Sequence, residues 1–307
     1  MNNLKKLGFT ALAGSLVATS AYAGALDVSG TAKVKYVSQD ETETTGNSYS
    51  SDKAISFSGS GDLDNGMSVS YVYTMTDAAF SSTKVSLDMG DAGTLSIMNG
   101  TDTAGIGKYD DVMPTAGEEV WDDVDATDAG VVDQQNTNAL GYEGNFMGLT
   151  VSAAYTNNAA ASGSSSSVVL IANDLADGLQ IGVGMGDKAG AVNSEEDHST
   201  AWVKYTAGPV TLGYQMSQID KATSTSDEDR NHIAASFAVN ENLSVSYGVS
   251  QVEYGDASKS DEDSSGISAS YTMGSITVGA VMNSTDAVGG SASSDDSFSE
   301  IAVTFAF

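Results

Sequence analysis

From Val28 onward the chain alternates. Val28, Ala32, Val34 and Tyr36 share one parity, and Asp27, Ser29, Thr31, Lys33 and Lys35 share the other. A period of two gives a strand one apolar and one polar face. The run is about ten residues long, enough for a tilted strand to cross a bilayer. The pattern returns at 55–63, 67–75, 85–89 and 95–97. After a break it resumes at 140–142, 149–155, 169–171, 179–185, 201–205, 210–216, 233–239, 243–249, 267–273, 276–282 and 301–307. These runs predict sixteen strands. Tight-turn signals follow every second strand, at 64–66, 90–93, 144–145, 174–178, 208–209, 240–242 and 274. Longer polar loops alternate with them, for example at 219–229, 253–264 and 284–296. Short turns at one rim and long loops at the other, with an even strand number, describe a membrane barrel. A soluble sandwich has no reason to keep all its long loops at one end.

Parity tests this reading. Asp27, Lys33, Lys35, Lys84, Asp88, Glu143, Lys204, Arg230 and Glu300 take the polar parity, as do His198 and His232. Lys53 is the exception, at a strand mouth. On the apolar parity, Tyr142, Tyr205, Phe237, Tyr271, Phe305 and Phe307 fall toward the short-turn rim. Tyr36, Tyr71, Tyr73, Tyr155 and Tyr214 fall toward the long-loop rim. Amphipathic rings belong at the two membrane interfaces. A sixteen-strand lumen is too wide for side chains to fill, so the apolar face must turn outward, to lipid.

The stretch 100–136 breaks the alternation. It carries Asp102, Asp110, Asp111, Glu118, Glu119, Asp122, Asp123, Asp125, Asp128 and Asp133 against one base, Lys108. Ile106, Tyr109, Val112, Met113, Pro114, Val120, Trp121, Val131 and Val132 give it packing surface. A loop of this length is functional or disordered in most compact proteins. Two readings stand: a loop folded into the bore, where it sets what passes, or a solvated external loop.

Composition narrows the function classes. The 307 residues hold no Cys, 33 Gly, 2 Pro and a formal net charge of −29. That acidity argues against nucleic acid, whose phosphates need Lys and Arg. The absence of Cys removes disulfide frameworks and thiolate metal sites. Lys5, Lys6, an apolar stretch to Thr19 and Ala21-Tyr22-Ala23 read as a signal peptide over 1–23, leaving one barrel domain over 24–307. Losing the leader removes two lysines and makes the chain still more acidic. Catalysis is a poor fit: His198 and His232 are the only histidines, both flanked by ordinary strand residues. Gly182-x-Gly184-x-Gly186 lacks the strand–turn–helix setting of a nucleotide loop and reads as glycines on a strand's lumen face.

Together, the leader, the opening strand 25–37, the long third external loop and the closing strand ending in Phe307 resemble the general diffusion porins of Gram-negative outer membranes, particularly the alphaproteobacterial type. The resemblance implies an all-β, sixteen-stranded antiparallel transmembrane barrel, a homotrimer, and a third loop folded into the lumen. It implies that Phe307 is read by the barrel-assembly machinery, and that the surroundings are outer-membrane lipid and lipopolysaccharide. An arginine cluster opposite the loop, common in such porins, is absent: Arg230 is the only arginine.

The expected function is passive diffusion of small hydrophilic solutes and ions. Asp110, Asp111, Glu118, Glu119, Asp122 and Asp123 form the acidic side of a constriction, and Lys33, Lys35 and Lys84 the basic wall. Opposed faces give a transverse field, and the excess of acid gives a cation preference. Ion pairing within the subunit is the plainer role for these lysines. No cofactor is expected, although Asp122/Asp123/Asp125/Asp128 or Asp261/Glu262/Asp263 offer oxygens to Ca2+. Two alternatives remain. One is a substrate-specific channel with an aromatic track, for which Trp121 and Trp202 are the only tryptophans. The other is a secreted adhesin or surface-layer protein, suggested by the acidic, Ser/Thr/Gly-rich composition.

Overall fold

The structure is a computed structural model that describes residues 26–39, 48–127, 130–131, 138–158, 163–173, 175–189 and 195–307. The leader and Asp128, Val132 and Asp133 lie outside these residues. The first strands are β1 (Asp27–Gln39), β2 (Tyr49–Asp62), β3 (Ser68–Thr76), β4 (Ala79–Asp88) and β5 (Thr94–Asn99). After the long loop come β6 (Ala139–Phe146), β7 (Leu149–Asn158), β8 (Gly163–Asn173), β9 (Leu179–Lys188), β10 (Glu196–Ala207) and β11 (Val210–Lys221). The last are β12 (Glu228–Ala238), β13 (Leu243–Tyr254), β14 (Glu262–Met273), β15 (Ile276–Asp286) and β16 (Asp296–Ala306).

Each strand pairs antiparallel with its sequence neighbours, and β1 pairs with β16 from Thr31–Ala306 to Gln39–Phe298, closing the barrel. At the seam, Phe307 N–H donates to the Gly30 carbonyl at 2.9 Å, and Gly30 N–H to that of Phe307 at 3.2 Å. The polar parity faces the bore. Ser246, Ser264 and Ser268 are buried there, while Ile233, Tyr247 and Ile267 are more than half exposed on the outer face, where lipid covers them.

Four features differ from the sequence pattern. The β6–β7 turn lies at Met147-Gly148, not 144–145. Both residues have positive φ, 53° and 86°, as a tight hairpin turn matched to strand twist requires. Gly144 instead stays in the strand, beneath the Tyr142 ring. In β8 the parity is reversed: Val168 and Leu170 face outward, whereas Val169 and Ile171 are buried inward. Both faces are apolar there because the inner wall carries the loop. The β3–β4 connection is Asp77-Ala78, so turn and long loop do not alternate strictly. Asp77 accepts from the outward Lys53 at 2.7 Å, which explains the exceptional lysine.

Finally, the strands run further than their apolar runs. On β9 to β15 the outward parity ends at the long-loop rim in exposed Asp187, Asp197, Asp220, Asp229, Glu253, Asp263 and Asp286. Register places Asp187 beside Asp197, Asp197 beside Asp220, Asp229 beside Glu253 and Asp263 beside Asp286. This carboxylate collar marks where hydrocarbon stops. Ile267→Arg on the outer face of β14 is expected to destabilise the barrel by about 2–4 kcal/mol, and Asp263→Arg on the same face by less than about 1 kcal/mol. Reversible unfolding in lipid, read by heat-modifiable gel migration, measures both.

Candidate functional site

The loop leaves β5 at Gly100 and runs along the inner wall. Ser152 on β7 and Ser167 on β8 accept from Gly105 N–H and Ile106 N–H at 2.9 and 3.0 Å. Ile106, Met113 and Val131 of the loop then form one apolar cluster with Val169, Ile171, Trp202 and Ala234 of the wall. Tyr109 stacks on Trp202 at 5.5 Å. The wall makes room by lacking side chains. A Cβ at Gly182 would lie 2.0 Å from the Trp202 ring, and one at Gly213 would lie 2.7 Å from Met113 and Pro114.

Gln215 on β11, 1% exposed, is the central clamp. Its amide donates to the carbonyls of Tyr109 and Asp110 at 3.1 and 2.9 Å, and its oxygen accepts from Val112 N–H at 3.0 Å. Further on, Ala116 N–H donates to Ser246 on β13. Asn283 on β15 holds the carbonyls of Glu119 and Asp122. The returning limb is tied by Asp125 N–H to Asp296 on β16, by Thr127 to Glu262 and Tyr254, and by Gly130 to Arg230. These contacts run along the wall from β7 to β16, and Glu118 reaches β1. At its start the loop also packs on β5, where Thr103 N–H and hydroxyl donate to Met98 Sδ and Ala104 packs on the same side chain.

Of the six loop acids, Glu118 meets the basic wall: its carboxylate lies 3.2 Å from Lys33 Nζ. Asp110 and Asp111 instead accept from backbone N–H groups of the loop, those of Asp111 and Met113, and Asp111 also lies 3.5 Å from His232 Nδ1. Asp122 accepts from Glu119 N–H at 3.2 Å. Asp123 is exposed, with φ 59°. Burial raises the pKa of Glu118, against the opposing pull of Lys33. Burial, the Asp122 hydrogen bond and the nearby Asp111 charge push Glu119 up to about 9. Glu119 is therefore neutral at physiological pH, and the loop carries less charge than its composition states.

The basic wall is likewise reduced. Lys33 and Lys35 both pair with buried Glu300, at 2.6 and 3.5 Å, and Lys35 also with Asp52 at 3.3 Å. Lys84 has no ion-pair partner among the described residues. Gln215 and Asn283 were not singled out from sequence; Glu300 was named there for its polar parity alone, and Glu262 as an oxygen donor to Ca2+, not as a tether of the loop. Among the described residues no three His, Cys, Asp or Glu side chains sit close enough to hold a metal ion. In β14, strand alternation buries Glu262 on the bore side and exposes Asp263 outside. Of the histidines, His198 pairs with Glu196 at 3.1 Å, and His232 packs edge-on against Trp121.

A family model described as Gram-negative porin matches residues 8–306. No curated protein matches in sequence. Solved porins share the fold. A triple mutant of Rh. blastica porin is 13% identical, with TM-score 0.67, covering 92% of this chain and 100% of its own. OmpT of Vibrio cholerae, in its trimer form, is 12% identical, with TM-score 0.68, covering 92% and 99%. An anion-selective porin from Comamonas acidovorans is 14% identical, with TM-score 0.68, covering 92% and 100%.

Gln215→Leu is expected to raise amide exchange at 109–113 while leaving the barrel's heat-modifiable migration intact, because each orphaned buried group costs about 1–3 kcal/mol. The Glu119 pKa lies above its ordinary value of 4.5, so the seated loop holds a proton that the unfolded segment loses. Seating is therefore strongest below about pH 4.5 and weakens as pH rises toward about 9. Protease protection of 117–123 is expected to fall across that window, and Glu119→Gln to flatten the profile.

Proposed function

The chain belongs to the Gram-negative porins, and on that premise we propose that it is a water-filled outer-membrane channel for passive diffusion of small hydrophilic solutes and ions, with a cation preference. The observation that carries the preference is the imbalance around the bore. Two of the three wall lysines share Glu300, and Lys33 also meets Glu118, so their fields are largely cancelled. The chain as a whole holds 41 acids against 12 Lys and Arg. Low-dielectric walls focus the remaining negative field on the passage. The anion-selective porin from Comamonas acidovorans shares the fold, so charge placement, not architecture, sets the sign.

The proposal includes export by the leader 1–23, recognition of Phe307 during barrel assembly, contact with lipopolysaccharide, and a homotrimer, the form in which OmpT of Vibrio cholerae was solved. A substrate-specific channel with an aromatic track is less well supported. Trp202 is 3% exposed beneath Tyr109 and Trp121 is 6% exposed against His232, so neither offers an open ring to a solute.

In a planar bilayer under a salt gradient, purified protein is expected to give large, stepwise, ohmic conductance and a reversal potential of cation-selective sign. An anion-selective sign overturns the preference, and silence from a folded barrel overturns the channel. Glu118→Gln, which removes one bore carboxylate and leaves Lys33 paired with Glu300 alone, is expected to lower the cation-to-anion permeability ratio by about twofold. Chemical cross-linking of the protein in native membranes should yield a three-chain species.

A further inference from the structure

Three segments distant in sequence meet on one side chain at the long-loop rim. Glu262, the first residue of β14, is 1% exposed. Its carboxylate accepts from the N–H and the hydroxyl of Thr127 in the third loop. It also accepts from the Tyr254 hydroxyl at the end of β13, at 3.0 Å, and from Gly289 N–H between β15 and β16. An ionised carboxylate offers about four lone-pair sites, so every one of these donors finds an acceptor. A glutamine of the same shape would turn N–H donors toward donors.

The two connections at this mouth are interlocked. Between β15 and β16, Ala287, Gly289 and Gly290 have φ of 58°, 62° and 84°, and Val288 N–H donates to the Ser294 carbonyl at 2.7 Å. The Gly290 carbonyl accepts from Ser260 N–H, between β13 and β14, at 2.9 Å. A Cβ at Gly290 would lie 2.7 Å from the Lys259 side chain, whose ammonium sits 4.0 Å over the Tyr254 ring. Hydrogen bonds that share one buried acceptor strengthen and fail together. Displacing Gly289 therefore disturbs the hold on Thr127. We propose that Glu262 is a positioning residue for the constriction: it ties the returning limb of the third loop to both mouth connections, so that a disturbance at the mouth shifts the loop in the bore. The inference rests on the channel reading above. A molecule seated on the mouth connections then alters the current without entering the bore.

Gly290→Ala strains a positive φ and pushes on Lys259, not on the third loop. In the detergent-folded barrel it is expected to raise amide exchange at 125–127 about fivefold, together with 287–290. Glu262→Gln should raise exchange at 127 and 289 alike. In that background Gly290→Ala should change 125–127 by less than about twofold, because changes acting through one residue do not add. The chain has no cysteine, so exposed Ser293→Cys can carry a bulky maleimide label in a barrel otherwise intact. The label is expected to raise exchange at 125–127 and make single-channel current noisier, and Glu262→Gln to abolish both effects. Exchange confined to the mouth connections, or a label effect that persists in Glu262→Gln, overturns the coupling. Conductance with exchange so confined overturns the coupling alone. Coupled exchange in a barrel that never conducts supports the coupling and overturns the channel.

Discussion

Hydrocarbon supplies no hydrogen-bond partner, and every other feature of this molecule follows from that. A sheet in lipid must leave no edge. The chain meets the demand by pairing β1 with β16 and by tying Phe307 to Gly30 at the seam. Sixteen strands then enclose a bore too wide for side chains to fill. The contents of the bore must come from the chain itself, and the segment between β5 and β6 supplies them.

Seating that segment raises a second problem, because an irregular backbone has no ladder to satisfy its amides. The wall answers with neutral groups on the outgoing limb, where Ser152, Ser167, Gln215, Ser246 and Asn283 each hold a loop N–H or carbonyl, and with Asp296, Glu262 and Arg230 on the returning limb. An apolar patch centred on Ile106, Trp202 and Val169 adds non-directional attraction. Charge is handled differently. Crowded carboxylates are relieved by protonation at Glu119 and by lysine sharing at Glu300. The lumen is thus less polarised than a count of its ionisable residues suggests.

Alternation made the strand number, the closure and the inward parity of Lys33, Glu300 and Arg230 legible, because a strand's two faces meet different solvents. The same logic failed at β8. Val168 to Ile171 are apolar on both faces, and only the loop packed inside says which face is which. The turn at Met147-Gly148 was hidden because Gly144 and Asn145 looked the stronger turn formers, whereas Gly144 serves as a seat for Tyr142. The clamp at Gln215 was illegible for another reason. It joins residues more than a hundred positions apart, and no local pattern encodes such a contact. The acidic composition of the loop was visible, but which acids would face lysine and which would cap backbone amides was not.

The collar on β9 to β15 has a mechanical meaning. Its seven carboxylates stand near one height, just above the last apolar outward residues, along nearly half the circumference. Sinking the barrel by one residue pair, about 7 Å, would drag them all into hydrocarbon together. Raising it would expose the greasy band on the opposite side. The collar therefore acts as a waterline: it sets how deep the barrel floats.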